Sequence, residues 1–347
     1  MRRLIVLVAG IAVSAWSIGL AQSPAAAGPY KILKTAKVGG AGGFDYVYAD
    51  AAGRRLYVPR SGAEGRITVF NLDTLEPAGE IPNVNAHGAV VDPASNHGFS
   101  SSRPVAMWDT RTLALIKTID VEGNPDGILF DPFNARVWIL SHRAPNATVI
   151  DAKDGSIVGT VDVGGAPEQA VTDGRGHVYI DVEDKDNVAV VDARTLQVTA
   201  HYGFDDKAKV PAGLAFDVKN HVLFVACRNS PTMVILNSET GKVITTLPIG
   251  TGVDGAAFNP ATMEAFSSQG DGTLTVIKEN SPSSFVVEQT VETKVSAKTM
   301  TLDSKTNRVL LIAADFAAAP STTPAAGGRA ARGPMVPDSF SILEVGK

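Results

Sequence analysis

Ionisable residues recur along this chain at a nearly constant spacing, and together they could bind a charged ligand. They are Asp45, His87, Asp126, Glu168, Asp254 and Lys298, with Ala212 at the equivalent place between Glu168 and Asp254. Successive members lie 39 to 44 residues apart. Four carboxylates and a histidine could hold a hard cation such as Ca²⁺, and the histidine would also admit a transition metal. The candidate metal ligands are therefore Asp45, His87, Asp126, Glu168 and Asp254, and the metal stays open.

Basic side chains from a second set of positions could complete this site. They are Arg60, Arg103, His142 and Arg228. A histidine base that activates water and arginines that stabilise an oxyanion would suit a hydrolase of small cyclic esters. A simpler interpretation is that the strand-entry residues only form turns, because Asp126-Gly127 and Asp254-Gly255 fit ordinary turn geometry. His87, Glu168 and Lys298 break that turn pattern, which favours a binding face.

Sequence motifs of several enzyme classes are absent. There is no Gly-x-Ser-x-Gly, no His-Glu-x-x-His, no phosphate-binding glycine loop and no Cys-x-x-Cys-His. We assign no catalytic residue and favour a binding protein over an enzyme. A divalent metal ion is the one cofactor we consider.

The spaced residues each precede a unit that reads as four β-strands. In the third copy, short apolar runs are predicted over residues 128–130, 136–140 and 147–151, followed by a more polar run over 157–161. Buried inner strands and a solvated outer edge would produce this gradient. A β-rich repeat of about forty residues is typical of a β-propeller. The sequence therefore predicts an all-β, seven-bladed propeller with four-stranded blades.

Ring closure and the position of the site follow from this architecture. The seventh unit ends before a fourth strand, and residues 30–38 can supply one, so we expect the N-terminal strand to close the last blade. Residues 30–347 would form one domain, in which the low-complexity segment 317–337 is a loop within the last blade. Strand-entry residues of all blades converge at the axial mouth, so we expect the candidate ligands to meet there.

Two sequence motifs in the repeat resemble motifs of a known protein family. The repeat of YVTN-type, YncE-like β-propellers is similar to the second-strand motif Arg55-Leu56-Tyr57-Val58-Pro59-Arg60 and to the third-strand motif spanning 147–155. The likeness covers nearly all of the chain after its N-terminal segment. It implies an exported, seven-bladed bacterial protein that acts in binding or at the cell surface.

The N-terminus and the composition indicate where the protein works. Arg2 and Arg3 precede an uncharged apolar run over residues 4–20, which predicts a signal peptide over 1–21 and a flexible linker over 22–29. Cleavage after Ala21 or after Ala27 both fit, and a retained membrane anchor is the alternative. We expect a monomer in the periplasm, at the cell surface or secreted, with no membrane span after cleavage.

The net charge and the cysteine count narrow the range of partners. A net charge of −5 argues against nucleic acid as a partner, and one cysteine excludes an intrachain disulfide. The expected partner is a small molecule, a metal ion or a protein at the mouth.

Overall fold

The structure, a computed structural model, describes residues 28–318 and 333–347 and consists almost entirely of β-strands. The predicted signal peptide and residues 22–27 of the predicted linker lie outside the described residues. In the described part of the chain, 28 strands form seven four-stranded antiparallel sheets, and a single-turn 3₁₀ helix spans Glu183–Lys185. No helix in this part is long and apolar enough to cross a membrane.

The first four complete sheets, blades 1 to 4, use the strands β2 to β17 in chain order. Blade 1 contains β2 (Tyr48–Asp50), β3 (Arg55–Arg60), β4 (Arg66–Asn71) and β5 (Pro77–Pro82). Blade 2 contains β6 (Ala89–Asp92), β7 (His97–Ser100), β8 (Val105–Asp109) and β9 (Leu115–Ile119). Blade 3 contains β10 (Pro125–Asp131), β11 (Arg136–Ser141), β12 (Ala147–Asp151) and β13 (Ile157–Val161). Blade 4 contains β14 (Pro167–Thr172), β15 (His177–Val182), β16 (Asn187–Asp192) and β17 (Gln197–Gly203).

The remaining three sheets, blades 5 to 7, include the one that joins both ends of the chain. Blade 5 contains β18 (Lys209–Asp217), β19 (Val222–Asn229), β20 (Thr232–Asn237) and β21 (Val243–Pro248). Blade 6 contains β22 (Val253–Asn259), β23 (Glu264–Gln269), β24 (Thr273–Ser281) and β25 (Ser284–Glu292). Blade 7 contains β26 (Met300–Asp303), β27 (Arg308–Ala313), β28 (Ser341–Gly346) and, as its outer strand, β1 (Lys31–Lys37).

The first strands of the seven blades form a closed circle. β2 contacts β6, β6 contacts β10, and the same neighbour relation continues through β14, β18, β22 and β26 back to β2. These strands therefore surround a common axis, and the later strands of each blade extend outward from it. The predicted seven-bladed propeller with four-stranded blades is confirmed.

The hydrophobic core lies between the blades in seven clusters, one for each interface. Between blades 1 and 2, the fully buried Tyr57 and Trp108 lie with their ring centroids 5.8 Å apart. Trp108 also covers Gly98 of β7, where an added Cβ would meet the indole at 2.2 Å. Gly98 is therefore required by the close approach of the indole to the strand.

The N-terminal strand closes the ring as predicted. β1 pairs with β28 in antiparallel register, from Lys31 opposite Gly346 to Lys37 opposite Ser341. Just before β1, Tyr30 exchanges two hydrogen bonds with Gln289 of blade 6, at 3.0 and 2.8 Å. The start of the described chain is thus attached to two blades.

The predicted loop over 317–337 can be described only at its two ends. Phe316 and Met335 form an isolated antiparallel bridge between β27 and β28. Residues 319–332 of this predicted loop lie outside the described residues.

The entrances of the first strands share a structural irregularity. In blades 3 to 6 the pairing between the first and second strands shifts register immediately after the strand begins, between Pro125 and Ile128 in blade 3 and between Pro167 and Ala170 in blade 4. Bulges of this kind redirect side chains at the rims of closed sheets. The residues inside these two bulges include Asp126 and Glu168, so the irregularity positions the side chains at the mouth.

Candidate functional site

Charged side chains from the strand entrances meet in a closed ring in which acidic and basic groups alternate. In order around the ring they are Asp45, His87, Asp126, His142, Glu168, Arg228, Asp254 and Lys298, and Lys298 contacts Asp45 again. We call these eight residues the ionic ring. Six of them occupy the entry position of their blade, and the other two come from the ends of second strands.

One half of the ring, the histidine half, contains five residues. His87 Nδ1 lies 3.1 Å from Asp45 Oδ2 and 3.2 Å from Asp126 Oδ1. His142 Nε2 lies 3.0 Å from Asp126 Oδ2 and 3.0 Å from Glu168 Oε2. Each imidazole nitrogen is therefore placed between two carboxylates, and Asp126 lies between the two histidines.

The other half of the ring is held by an arginine and a lysine. Arg228 lies 3.2 Å from Glu168 Oε1 and also pairs with Asp254. Lys298 Nζ lies 3.0 Å from Asp45 Oδ1 and pairs with Asp254 from the other side. Asp254, which is 2% exposed, therefore links the two cations.

Arg228 fills the gap that the repeat leaves in blade 5. The entry residue of this blade is the buried Ala212, which carries no polar group. Arg228 reaches the same level from the end of β19 and also pairs with Glu183 in the 3₁₀ helix of blade 4. A single guanidinium thus pairs with three carboxylates, which its planar arrangement of N–H donors allows.

Burial and neighbouring charges shift the pKa values in the histidine half in opposite directions. The hydrogen bond with Glu168 raises the pKa of His142 to about 9, and the hydrogen bond with Asp45 raises that of His87. Burial alone would raise the pKa of Asp45 and of Glu168, but their histidine and cation partners outweigh it and lower both values. These pKa shifts favour the charged, paired forms of all four groups.

Asp126 has a different environment from the other acids of the ring. Burial raises its pKa to about 6, and the neighbouring Glu168 and Asp45 add to the effect. Its Oδ1 atom is buried and accepts no hydrogen bond in the structure. The cause is local, because the single hydrogen available on His87 Nδ1 is directed to Asp45.

Two polar residues, the half-buried Tyr46 and the buried Asp181, lie beside the ring without belonging to it. Tyr46 reaches across from blade 1, and its hydroxyl donates to the backbone oxygen of Glu168 at 2.9 Å. Asp181 accepts a hydrogen bond of 2.5 Å from the backbone of Gln169. Burial raises the pKa of Asp181 to about 8, so it is largely protonated at neutral pH.

Two groups of potential metal donors overlap within the histidine half. Asp45, His87 and Asp126 form one group, and Asp126, His142 and Glu168 form the other. Within each group the donor atoms lie within 4.8 Å of one another. Asp254, which the sequence placed among the metal candidates, belongs to neither group and is held by Arg228 and Lys298.

The remaining two residues predicted for the site lie outside the ring. Arg60 is 1% exposed, stacks 3.7 Å from the centroid of Phe340 and donates to the carbonyls of Gly39 and Gly42 at 3.3 Å. Arg103 is exposed and donates to the carbonyl of Gly123 at 3.2 Å. Arg60 thus packs between the ends of the chain, and Arg103 lies on the rim.

Two contributors to the site were not in the predicted ligand set. Lys298 stands at the entry position of blade 7, and its register with the other anchors was the signal that could have included it. Glu183 lies in the connection between β15 and β16, where no pattern distinguishes it from its acidic neighbour Asp184.

Comparisons with known proteins identify the fold. No protein-family model matches the chain, and no curated protein is significantly similar to it in sequence. A chain in the crystal structure of the mitotic checkpoint complex is similar in three dimensions, with a TM-score of 0.69 and 11% sequence identity over 89% of this chain and 95% of that one. At this level of identity, the similarity and the seven sheets together show a seven-bladed β-propeller and leave the function to be argued from the site.

Proposed function

We propose that this chain is an exported bacterial β-propeller of the YncE-like type that binds a small molecule or a metal ion at its axial mouth. The observation that carries the proposal is the ionic ring. Eight charged side chains from all seven blades converge at one end of the axis. Mixed-charge groups of this density at a mouth favour a binding site over a set of independent turns.

Ligand-dependent thermal stability tests this proposal. A ligand that binds only the folded state stabilises it by about 2.7 kcal/mol at a concentration of 100 times its Kd. We therefore expect at least one member of a panel of divalent cations, carboxylic acids, amino acids and sugars to raise Tm with a saturable dose response. The measurement is thermal unfolding followed by intrinsic fluorescence.

Paired variants locate the binding. The change His142→Gln should remove the stabilisation, whereas His177→Gln should leave it intact. His177 is a suitable control because it also pairs with a carboxylate, 2.9 Å from Asp173, but lies at the opposite end of its blade. A panel without any saturable shift would contradict small-ligand binding and favour a protein as the partner.

Hydrolysis of small cyclic esters is a second candidate function. Asp126 favours it, because a buried carboxyl with a pKa of about 6 between two histidines is suited to general base catalysis near neutral pH. In that case Arg228 would stabilise the developing oxyanion. Lactone turnover that disappears in His142→Gln while circular dichroism shows that the variant is folded would support this candidate, and no turnover in the unmodified protein would reject it.

The cellular location and the oligomeric state belong to the same proposal. The basic residues, apolar run and small residues near the N-terminus support export to the periplasm or cell surface, with no membrane span after cleavage. Mass spectrometry of the mature protein should find Gln22 or Gly28 at the N-terminus, and an intact residue 1 in the membrane fraction would contradict cleavage. The charge of −5 disfavours nucleic acid, and we expect a monomer in size-exclusion chromatography.

A further inference from the structure

We propose that the histidine half of the ionic ring is a centre for two divalent transition-metal ions, with Asp126 as the carboxylate that bridges them. The inference rests on the proposed function, because it gives the ligand of the mouth a chemical identity. One ion would be held by Asp45, His87 and Asp126, and the other by Asp126, His142 and Glu168.

The two oxygens of Asp126 divide the donors into two sites. Oδ1 lies 3.2 Å from His87 Nδ1, and Oδ2 lies 3.0 Å from His142 Nε2. The donors form two overlapping groups of three rather than one larger group. One ion between the histidines would therefore not reach all five residues, whereas two ions that share Asp126 would use every donor.

The distances between donor atoms are those of neighbouring ligands on one metal ion. Zinc and similar ions bind imidazole nitrogen and carboxylate oxygen at about 2.0–2.2 Å, so two ligands lie about 3.0 Å apart at a right angle and about 3.4 Å apart at the tetrahedral angle. The observed separations between nitrogen and oxygen in both groups are 3.0 to 3.2 Å. The nitrogen–oxygen separations are therefore compatible with coordination of one ion by each group.

A proton satisfies this arrangement less completely than a metal ion would. Each histidine nitrogen faces two carboxylate oxygens but can donate one hydrogen. As a result Asp126 Oδ1 accepts no hydrogen bond, although Asp126 is only 7% exposed. Buried polar atoms without a hydrogen-bond partner are uncommon in folded proteins, and coordination of an ion is one way in which such an atom is satisfied.

The surrounding cations orient the outer carboxylates toward the two sites. Lys298 holds Asp45 Oδ1 at 3.0 Å, which leaves Oδ2 directed at His87. Arg228 holds Glu168 Oε1 at 3.2 Å, which leaves Oε2 directed at His142. Hydrogen-bonding partners of this kind fix the orientation of metal-ligating carboxylates.

The donor types indicate the class of metal. Calcium and magnesium prefer sites made entirely of oxygen, whereas imidazole nitrogen combined with carboxylate suits zinc, cobalt, nickel and related ions. Three protein donors for each ion leave coordination positions open toward the mouth. We therefore infer a Zn²⁺-type centre with an accessible face.

Metal stoichiometry tests the proposal. The protein is treated with a chelator, dialysed and titrated with Zn²⁺ in a calorimeter, and Co²⁺ is added in parallel to record its visible absorption. We expect two equivalents of Zn²⁺ per chain and a Co²⁺ spectrum that saturates at two equivalents. Binding of one equivalent or none would overturn the bridged centre.

Three variants separate the metal centre from a merely charged mouth. Asp126→Asn should lose both equivalents, His142→Gln should retain at most one, and Asp184→Asn should retain two. Asp184 is the control because it lies in the 3₁₀ helix beside the mouth and pairs with Lys185, but among the described residues it pairs with no member of the ionic ring and belongs to neither donor group. Circular dichroism confirms that each variant is folded, and equal Zn²⁺ binding by Asp126→Asn and the unmodified protein would reject the bridging role.

The outcomes also separate this inference from the proposed function. If Zn²⁺ and Co²⁺ do not bind but an organic ligand raises Tm in a way that His142→Gln abolishes, the metal centre is wrong and binding at the mouth stands. If neither metals nor organic ligands bind, both proposals are wrong.

Discussion

Among the described residues at the mouth, Arg228 pairs with the largest number of oppositely charged groups. Its side chain is 9% exposed and pairs with Glu168, Glu183 and Asp254. Removing one partner from a buried ion-pair network usually costs more than the network contributes, because the remaining charges stay buried without compensation. Arg228 therefore stabilises the ring mainly by neutralising acids that the fold has already placed there.

The change Arg228→Met should lower the free energy of unfolding by roughly 3–5 kcal/mol, since it keeps the packing volume but leaves three carboxylates without their shared cation. Urea denaturation at pH 7 measures the effect. The control is Arg103→Met, because Arg103 is exposed and bonds only to a backbone carbonyl; it should change stability by less than about 0.5 kcal/mol. Equal midpoints for the two variants would show that the acids find other partners.

The sequence predicted part of the site, and individual residues show which parts could not be predicted. The spacing of Asp45, His87 and Asp126 was informative because equivalent positions of a repeat occupy equivalent places in a ring. Arg60 lies elsewhere than its position in the repeat predicts. That position is one of a mouth residue, but Arg60 packs on Phe340 and donates to glycine carbonyls near residue 40. No local sequence pattern indicates contacts with such distant segments.

At the scale of the strands, neighbouring blades are tied together at the end opposite the mouth. The residue after the third strand of a blade offers its carbonyl to side chains of the preceding blade. His97 lies 2.9 Å from the oxygen of Ala152, Arg136 donates to Ala193 at 2.9 Å, and Tyr179 donates to Ser238 at 3.4 Å. Blades 2, 3 and 4 are thus each joined to the next blade by a hydrogen bond in addition to the apolar interface.

Blades 5 and 6 are joined at this end by a pair of buried acids. Asn220 donates to Glu279 Oε1 at 2.7 Å, whereas Glu279 Oε2 and Asp217 Oδ2 have no hydrogen-bond partner. Burial raises the pKa of Glu279 to about 7, and the nearby Asp217 adds to the shift. The interface therefore prefers Glu279 in its protonated form.

The change Glu279→Gln should make the stability of the protein less sensitive to the rise in pH from 4.5 to 7. Because the folded-state pKa of Glu279 lies above its ordinary value of 4.5, its contribution to stability is fully present below pH 4.5 and is lost as pH rises toward 7. Glutamine keeps the neutral form and can donate to Asp217. We expect the variant to exceed the unmodified protein by up to about 3 kcal/mol at pH 8 and by much less at pH 4.5.

Urea denaturation at pH 4.5 and pH 8 provides this comparison. The exposed Glu292 on β25 of the same blade supplies the control, since Glu292→Gln should leave the pH dependence unchanged. A difference between Glu279→Gln and the unmodified protein that is independent of pH would contradict the assignment.

The positions of the strands could be predicted from the sequence, but the β-bulges that orient the candidate ligand side chains could not. Alternating and continuous apolar runs predict which residues form β10 or β14, because burial determines the residue type. The register shift after Pro125 depends on how the strand pairs with β11. It also determines that Asp126 points to the axis, and a single sequence carries no signal for such pairing.

For the molecule as a whole, closure depends on a strand from one end pairing with a strand from the other. β1 completes blade 7, and Tyr30 packs edge-on against Phe266 of blade 6 with ring centroids 5.5 Å apart. Without this segment β28 would be an open sheet edge, and the interface between blades 6 and 7 would lose an aromatic residue. The repeat length and the incomplete last unit were enough to predict this closure, whereas the Tyr30 contacts were not predictable because they involve no repeated position.

A chain that begins after Val38 should therefore be much less stable than one that begins at Gly28. We expect Tm to fall by at least roughly 10 °C, since blade 7 loses the complete β1–β28 strand ladder and its interface with blade 6 loses buried apolar contacts. Differential scanning calorimetry of the two chains measures the change. Equal melting temperatures would contradict the view that this strand holds the ring together.

The pairing of β1 with β28 also sets the order in which parts of the protein can fold. β1 must wait until β28 has been synthesised before the two strands can pair, since Lys31 lies opposite Gly346. Joining positions so far apart costs more chain entropy than forming any single hairpin within a blade, and contacts of large sequence separation slow folding. The final docking of β1 on β28 is thus expected to come late, after the individual hairpins have formed. Until then a growing chain presents two unpaired edges on which a neighbouring copy could add its own strand.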